Sequence, residues 1–273
     1  MMKILIIGAG VIGCAIAHEL AKHGIAVEIL ERGAPGSATT AHCEGNILLS
    51  DKGPGPELEL AQLSRRLWPG VLDAIADTCG PHIAHSVEWE PKGGIVVATT
   101  DDGAVALSRF AASQSVAGVS SRRLTADEAH AAEPHLTRDF TAAYHYPEDA
   151  QVQPVAAAHA LLRSAIQRGA VLHAGVTATG AIVTAGVLTG VHTTAGTFHG
   201  DGVIDCAGPW SATVSRALGA PINVKPRRGN ILVTSEYSGF CFGSGIMHVM
   251  RSHTTTGAGV GFPAADTHLL YNQ

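Results

Sequence analysis

Two short, mainly apolar blocks, KILII at 3–7 and AVEIL at 26–30, frame the first thirty positions. The first lacks the alternation of a half-exposed strand and predicts a central parallel strand buried on both faces. Gly8-Ala9-Gly10-Val11-Ile12-Gly13 follows, then a helix through Ala15, Ile16 and Leu20 that stops at His23-Gly24. The second block predicts another strand, closing on Glu31. Strand, glycine turn, helix, glycine stop, strand and acid in this order predict a βαβ unit.

The pattern then changes. A loop rich in Gly, Pro, Ser and Thr precedes a helix predicted from about Glu57 to Ala76, with Pro69-Gly70 expected to kink or break it. From Ser86 the stretch SVEWEPKGGIVVATT reads as a hairpin of half-buried strands, and Asp101–Val116 as a helix. Thr125 and Glu128 form a capping box that opens a short helix, and DFTAAYHYPED returns as a strand. Residues 155–168 predict a helix stopped by Gly169, with strands near Val171–His173, Gly180–Leu188 and Val191–Thr194. GVIDCAGPWSATVSRALG reads as strand, turn and helix. These segments predict an α/β fold: a Rossmann-like domain with an inserted, smaller α+β antiparallel-sheet domain. The expected division is 1–85, 146–223 and 252–273 for the first, and 86–145 with 224–251 for the second.

Composition narrows the function classes. With 46% hydrophobic and 15% charged residues, a substantial core is expected and disorder is not. A net charge of -5 without a basic stripe argues against nucleic acid as a partner. Five scattered cysteines without C-x-x-C point to a reducing cytoplasm rather than a disulfide framework or zinc ribbon. No apolar run after the opening is long enough to span a bilayer. His18-Glu19 followed by His23 misses H-E-x-x-H by one residue, so no metal is expected and these histidines read as solvated surface groups.

The glycine turn carries the candidate chemistry. In G-x-G-x-x-G the first glycine permits the tight turn, the second lets backbone approach a pyrophosphate, and the third lets helix pack on strand. The amides at the helix start, from Val11, Ile12 and Gly13, then face the phosphates. Glu31 is placed to accept ribose hydroxyls. The same opening, one Lys before an apolar run ending in Val-Ile-Gly-Cys at 11–14, also has the layout of a secretory or lipoprotein leader. That reading predicts neither Glu31 nor three glycines at these spacings.

With GAGVIG at 8–13, Glu31-Arg32, Ser37 to Thr40, DCAGPWS at 205–211 and PRRGN at 226–230, residues 3–247 resemble the D-amino-acid oxidase-type FAD oxidoreductases. That family includes glycine oxidase, sarcosine oxidase and dye-linked amino-acid dehydrogenases. NILLSDKGPGPELELAQLS is most similar to the β-subunit type of hydroxyproline or opine dehydrogenases and the related cyanide-forming glycine dehydrogenases. The resemblance implies FAD as cofactor, a small amino or imino acid as substrate, and for some members a partner subunit. It implies that Gly8, Gly10 and Gly13 approach the pyrophosphate and that Glu31, beside Arg32, holds the ribose. Thr39, Thr40 and the stretch Cys43, Gly45 and Asn46 would lie along pyrophosphate and flavin, with Cys43 a small packed thiol. The backbone of Ala178 would meet adenine, and Cys206, Ala207, Gly208 and Trp210 would line the middle of the cofactor.

Gly257, Gly259, Val260 and Gly261 match the family's last glycine-rich motif. The long stretch expected between Arg251 and Gly257, which holds the family's substrate-carboxylate Arg, is missing, so the C-terminal part is expected to be shortened. Arg227, Arg228 and Arg251 remain as candidates for that carboxylate. Two other readings stand beside an FAD-dependent amine or amino-acid oxidoreductase: a shortened relative that binds FAD or a partner without turnover, and an NAD-dependent dehydrogenase sharing only the first βαβ unit.

Overall fold

The structure, a computed structural model, describes residues 2–226 and, as strand backbone, 232–233, 246–250 and 270–271. Along the chain run β1 (Lys3–Ile7), α1 (Val11–Lys22), β2 (Ala26–Glu31), β3 (Asn46–Ile47), α2 (Pro56–Cys79), α3 (Pro81–His85), β4 (Gly94–Ala98) and α4 (Asp101–Val116). β5 (Arg122–Leu124), α5 (Ala126–Ala132), β6 (Ala142–Tyr146), β7 (Ala150–Gln151), α6 (Pro154–Gln167), β8 (Val171–Ala174) and β9 (Ala178–Thr184) follow. The remainder is β10 (Val187–Thr193), β11 (Gly196–His199), β12 (Gly202–Asp205), α7 (Ser211–Ala217), β13 (Leu232–Val233), β14 (Ile246–Met250) and β15 (Leu270–Tyr271). They form two units: Met1–Glu44, Gly70–Glu88 and Gln153–Asn230, and Gly45–Pro69, Trp89–Val152 and Ile231–Gln273.

The first unit is built on a parallel sheet in the order β12-β1-β2-β8. Because β1 is apolar from Ile4 to Ile7 it takes a central place, and Leu5 and Ile6 are completely buried. On one face, Leu5, Ile7 and Leu30 pack with Val176, Val191 and Phe198 from the antiparallel β9-β10-β11 sheet and the turn before it. α1 packs along α6, and both helices bury small residues, Ala17 and Ala21 on one and Ala157, Ala158 and Ala165 on the other. His18 is enclosed at this contact, its Nδ1 3.0 Å from Ser164 Oγ. It is therefore a core histidine, not the solvated one its polarity suggested.

The second unit holds the sheet β14-β4-β6-β5, antiparallel except where β14 runs parallel to β4. β4 is buried along its whole length. Val96 and Ala98 join a core with Leu49, Leu58, Leu107 and Tyr146, while Ile95 and Val97 join Leu124, Ala129 and Leu136. Residues 45–69 therefore pack with this sheet, through Leu49 and Leu58. The capping box forms: Thr125 Oγ1 accepts from Glu128 N, and Glu128 Oε2 accepts from Thr125 N.

Three local expectations are corrected. The hairpin read at 86–100 is one strand, β4, because a strand buried on both faces loses the alternation that a hairpin of half-exposed strands would show. The strand read as Gly180–Leu188 turns at Ala185 and Gly186, both at positive φ, and so becomes the β9–β10 hairpin. α2 continues through Pro69. Proline inside a helix costs about 3 kcal/mol, but Leu58 and Ile75, both fully enclosed, anchor the helix on either side of it.

The two units carry buried titratable groups of opposite sign. Burial holds His18 below its usual pKa, so its share of stability is complete above about pH 6.5 and is lost as acid charges it. Burial pushes the Asp149 carboxyl up to about 6, above its unfolded value, so its share is present in acid and is lost as pH rises through 6. From about pH 7.5 to about pH 5, amide protection is expected to fall in α1 and α6 and to rise at Leu49 and Ser50. His18→Gln should abolish the first response and Asp149→Asn the second; parallel responses in wild type would contradict the assignment.

Candidate functional site

β1 enters the glycine turn at Gly8, whose φ of +106° lies where L side chains are rarely found. Gly8 N donates to Leu30 O at 2.9 Å, and Cys206 N donates to Ile7 O at 2.8 Å, so the turn is tied to both neighbouring strands. A Cβ on Gly8 would stand 2.5 Å from the Cys206 carbonyl oxygen, and one on Gly13 would run into the Gly8 carbonyl oxygen. These two glycines are demanded by the protein's own packing. Gly10 is different: the nearest atom to a Cβ there is Thr40 Oγ1 at 3.4 Å, an ordinary contact. Gly10 is also the N-cap of α1 and supplies no capping side chain. A bare Cα at this point lets an anionic partner reach the unsatisfied amides of the helix start.

The surrounding side chains point the same way. Val11 N donates to Thr40 Oγ1 at 3.0 Å, and the buried Thr40 hydroxyl can pass its own proton to an acceptor. Glu31 Oε2 accepts from Ala9 N and Oε1 from Gly33 N, each at 2.7 Å. Both oxygens keep a lone pair for hydroxyl donors. The Arg32 guanidinium lies 3.8 Å from the centroid of the Trp210 ring, which is 41% exposed. Its charge is thus engaged on an indole face. Ile12, 64% exposed at the first turn of α1, adds an apolar surface.

Asp205 is an organiser that the motif reading passed over. Its Oδ1 accepts from Ala207 N at 2.9 Å and from Ser211 Oγ at 3.1 Å, shaping Cys206–Ala207 and Gly208, which takes a positive φ. An Asp two residues before the amide it binds, ahead of a glycine, is an Asx-turn pattern and was the available signal. Burial pushes the thiols of Cys14 and Cys206 up to about 12 and about 11, so both pack as neutral groups. Cys43 is exposed rather than packed, its Sγ donating to Thr40 O at 3.2 Å. The short 3₁₀ turn Thr39–His42 cannot enclose a side chain that leaves it.

The structure thus brings Gly8, Gly10, Val11, Ile12, Gly13, Glu31, Arg32, Cys206, Ala207, Gly208 and Trp210 to the carboxyl ends of β1, β2 and β12, with Thr40 against the helix start. Ala178 opens β9, two residues after Val176 N donates to Glu31 O. Gly45 and Asn46 belong to the second unit, where Gly45 O accepts from Val152 N and Asn46 pairs with Gln151. Arg227, Arg228, Arg251, Gly257, Gly259, Val260 and Gly261 lie outside the described residues.

The glycines separate packing from ligand approach experimentally. Gly13→Ala is expected to cost at least ~2 kcal/mol, because helix and strand must part. Gly10→Ala should leave thermal stability within about 0.5 kcal/mol of wild type. Thermal unfolding of the two variants checks the pair, and equal losses would contradict the distinction.

The family model for FAD dependent oxidoreductases (DAO) matches residues 3–270. The glycine oxidase of Geobacillus kaustophilus is 32% identical over 233 residues, which cover 84% of this chain and 60% of that enzyme. Hydrogen cyanide synthase subunit HcnC of Pseudomonas aeruginosa is 28% identical over 272 residues, covering 85% of this chain and 64% of the relative. The crystal structure of the Geobacillus glycine oxidase superposes with a TM-score of 0.74 at 30% identity, covering 80% of this chain and 59% of that one. The chain therefore spans about three fifths of the length of these relatives. Among the described residues, no helix is long and apolar enough to cross a membrane. The family match, extending far beyond the first βαβ unit, decides between flavin and nicotinamide. With a glycine turn open at Gly10, an acid at the end of β2 and a match over nearly all its length, the chain belongs to the DAO family of FAD-dependent oxidoreductases.

Proposed function

We propose that this chain binds FAD along the carboxyl ends of β1, β2 and β12 and oxidises the C–N bond of a small amino or imino acid. The observation that carries the reading is Gly10: nothing in the protein's own packing requires a glycine there, yet it leaves the start of α1 open. The residues present fit the cofactor. The Ile12 and Gly13 amides suit a pyrophosphate, as does the Thr40 hydroxyl that the Val11 amide holds, with Thr39 beside them, and the two Glu31 oxygens suit a ribose diol. Arg32, held on Trp210, borders the Glu31 end, Ala178 backbone faces adenine, and Cys206, Ala207 and Gly208 present small groups to the middle of the cofactor. On this reading the first unit is the FAD-binding domain and the second the substrate domain. Gly257, Gly259, Val260 and Gly261 would supply the last flavin contacts.

Bound FAD would supply the two-electron acceptor, as hydride at flavin N5, for oxidation of the amine to an imine. The chain's part is binding, orientation and charge. No side-chain base is required if the amine binds neutral, but the substrate carboxylate needs a cation, for which Arg227, Arg228 and Arg251 are the candidates. The likeness to glycine oxidase supports a small amino acid as substrate, and the likeness to a protein named as a subunit supports a partner subunit.

The test is the visible spectrum of the purified protein, recorded before and after anaerobic addition of glycine, sarcosine, proline or D-amino acids. A yellow protein bleached by one of them is the expected result. A yellow protein that none bleaches would favour a relative that binds FAD without turnover, and a colourless one that takes up no FAD would overturn the reading. Glu31→Gln, which keeps acceptor and shape at one oxygen only, is expected to weaken FAD by roughly tenfold, measured by flavin fluorescence titration.

A further inference from the structure

The first half of α2, which belongs to the second unit, carries two apolar faces. Leu58 is enclosed in that unit's core, Ala61 packs against the same core, and Gln62 Nε2 donates to Ala117 O at 3.0 Å. These residues mark the inward side. Leu60, Leu63 and Leu67 recur at intervals of three and four and so form one stripe, roughly half a turn around the helix from Leu58. They are 66%, 45% and 56% exposed. A surface helix ordinarily shows a polar face to water, so an outward leucine stripe marks a surface that something covers.

Leu60, Leu63 and Leu67 have the a, d, a spacing of a heptad, the pattern that seats one helix against another. Charge selects which helix. Glu59 and Arg66 each precede an a-type leucine by one residue, so they share one flank of the stripe, Glu59 at its amino end and Arg66 at its carboxyl end. Both are exposed, and among the described residues neither side chain has a hydrogen bond or ion pair. Arg65 does not compete with them: its Nε donates to Glu148 O at 2.8 Å and its guanidinium lies 4.8 Å from the centroid of the Trp89 ring. When two copies of this helix lie antiparallel, like flanks meet with opposite ends together, and Glu59 of each copy faces Arg66 of the other. On the second flank Glu57 of each meets Ser64 of the other, so no like charges are opposed. In a parallel pair the flank bearing Glu59 meets the flank bearing Ser64, and neither Glu59 nor Arg66 finds an opposite charge. The stripe is therefore complementary to itself about a two-fold axis.

We propose that the Leu60, Leu63 and Leu67 face of α2 is a self-association surface, on which a second copy of this chain packs its own α2 antiparallel, with two Glu59–Arg66 pairs across the two-fold axis. Three leucines within two turns cover less than the roughly 1,000 Å² that a stable interface needs, so the contact is a reversible one. It is independent of the FAD reading, since none of these residues belongs to the cofactor site.

The test is sedimentation velocity of the full chain over a range of about 10 to 500 μM. A dimer that grows with concentration is expected, with a Kd of roughly 100 μM. Leu63→Glu puts a charge into the stripe and should leave monomer throughout. Glu59→Arg or Arg66→Glu alone makes both cross pairs repulsive and should weaken the dimer roughly tenfold. The double variant should restore it, and so should an equimolar mixture of the two single variants, in which every cross pair is again opposite in sign. The substituted positions are exposed, so thermal unfolding like that of wild type is expected throughout; should Leu63→Glu not fold, the charge reversals decide alone. A chain that is monomeric at every concentration, as it would be if a different polypeptide covered the leucines, overturns the proposal. So does a dimer that survives Leu63→Glu, or one indifferent to the charge reversals.

Discussion

The contact between the Gly8 carbonyl and Gly13 is the constraint on which the first unit depends. It brings the start of α1 against the end of β1 more closely than any side chain would permit, with Cys206 pressed against the other side of Gly8. Once helix and strand meet there, the free amides of the helix start are aimed at the carboxyl edge of the sheet. The direction of that edge follows from β1 lying between β2 and β12 in a parallel sheet. Glu31 and Asp205 then stand at the ends of the two flanking strands, each using its carboxylate to hold backbone amides: Glu31 those of Ala9 and Gly33, Asp205 that of Ala207.

The same chemical device recurs in the second unit with a different purpose. Asp149 also binds two successive amides, but it is fully enclosed, whereas Glu31 is partly open to solvent. An open carboxylate keeps lone pairs for a ligand. An enclosed one can only organise the chain around it, and its raised pKa records the loss of hydration that this entails. The contrast is one of exposure: Glu31 keeps acceptor capacity facing solvent, and Asp149 does not.

Much of the site could be read along the chain. Gly8, Gly10, Gly13 and Glu31 stand within one βαβ unit, where local sequence order is also spatial order, so spacing alone locates them. The same holds for the Thr125–Glu128 capping box and for the helices 101–116 and 155–168, whose signals are local. Reading failed where a segment's environment came from distant elements. The sequence around β4 suits half-buried strands because it does not say that both faces of β4 are covered. Pro69 predicts a kink or break in α2 because the anchors that carry the helix through, Leu58 and Ile75, lie in different cores. His18 reads as a surface residue because its partner, Ser164, is 146 residues away.

The sequence by itself determined the dinucleotide-type turn, the acid after the second strand and the family to which the chain belongs. These are written in glycines and short spacings that only a few backbone conformations can satisfy. Tertiary structure decided which polar groups are enclosed, that Asp205 shapes the Cys206–Gly208 turn, and that Asp149 and Gln114 bind the backbone of Leu49, Ser50 and Lys52. Those contacts join positions as far as 100 residues apart, and the free energy of a polar group depends on what encloses it, which no local pattern records.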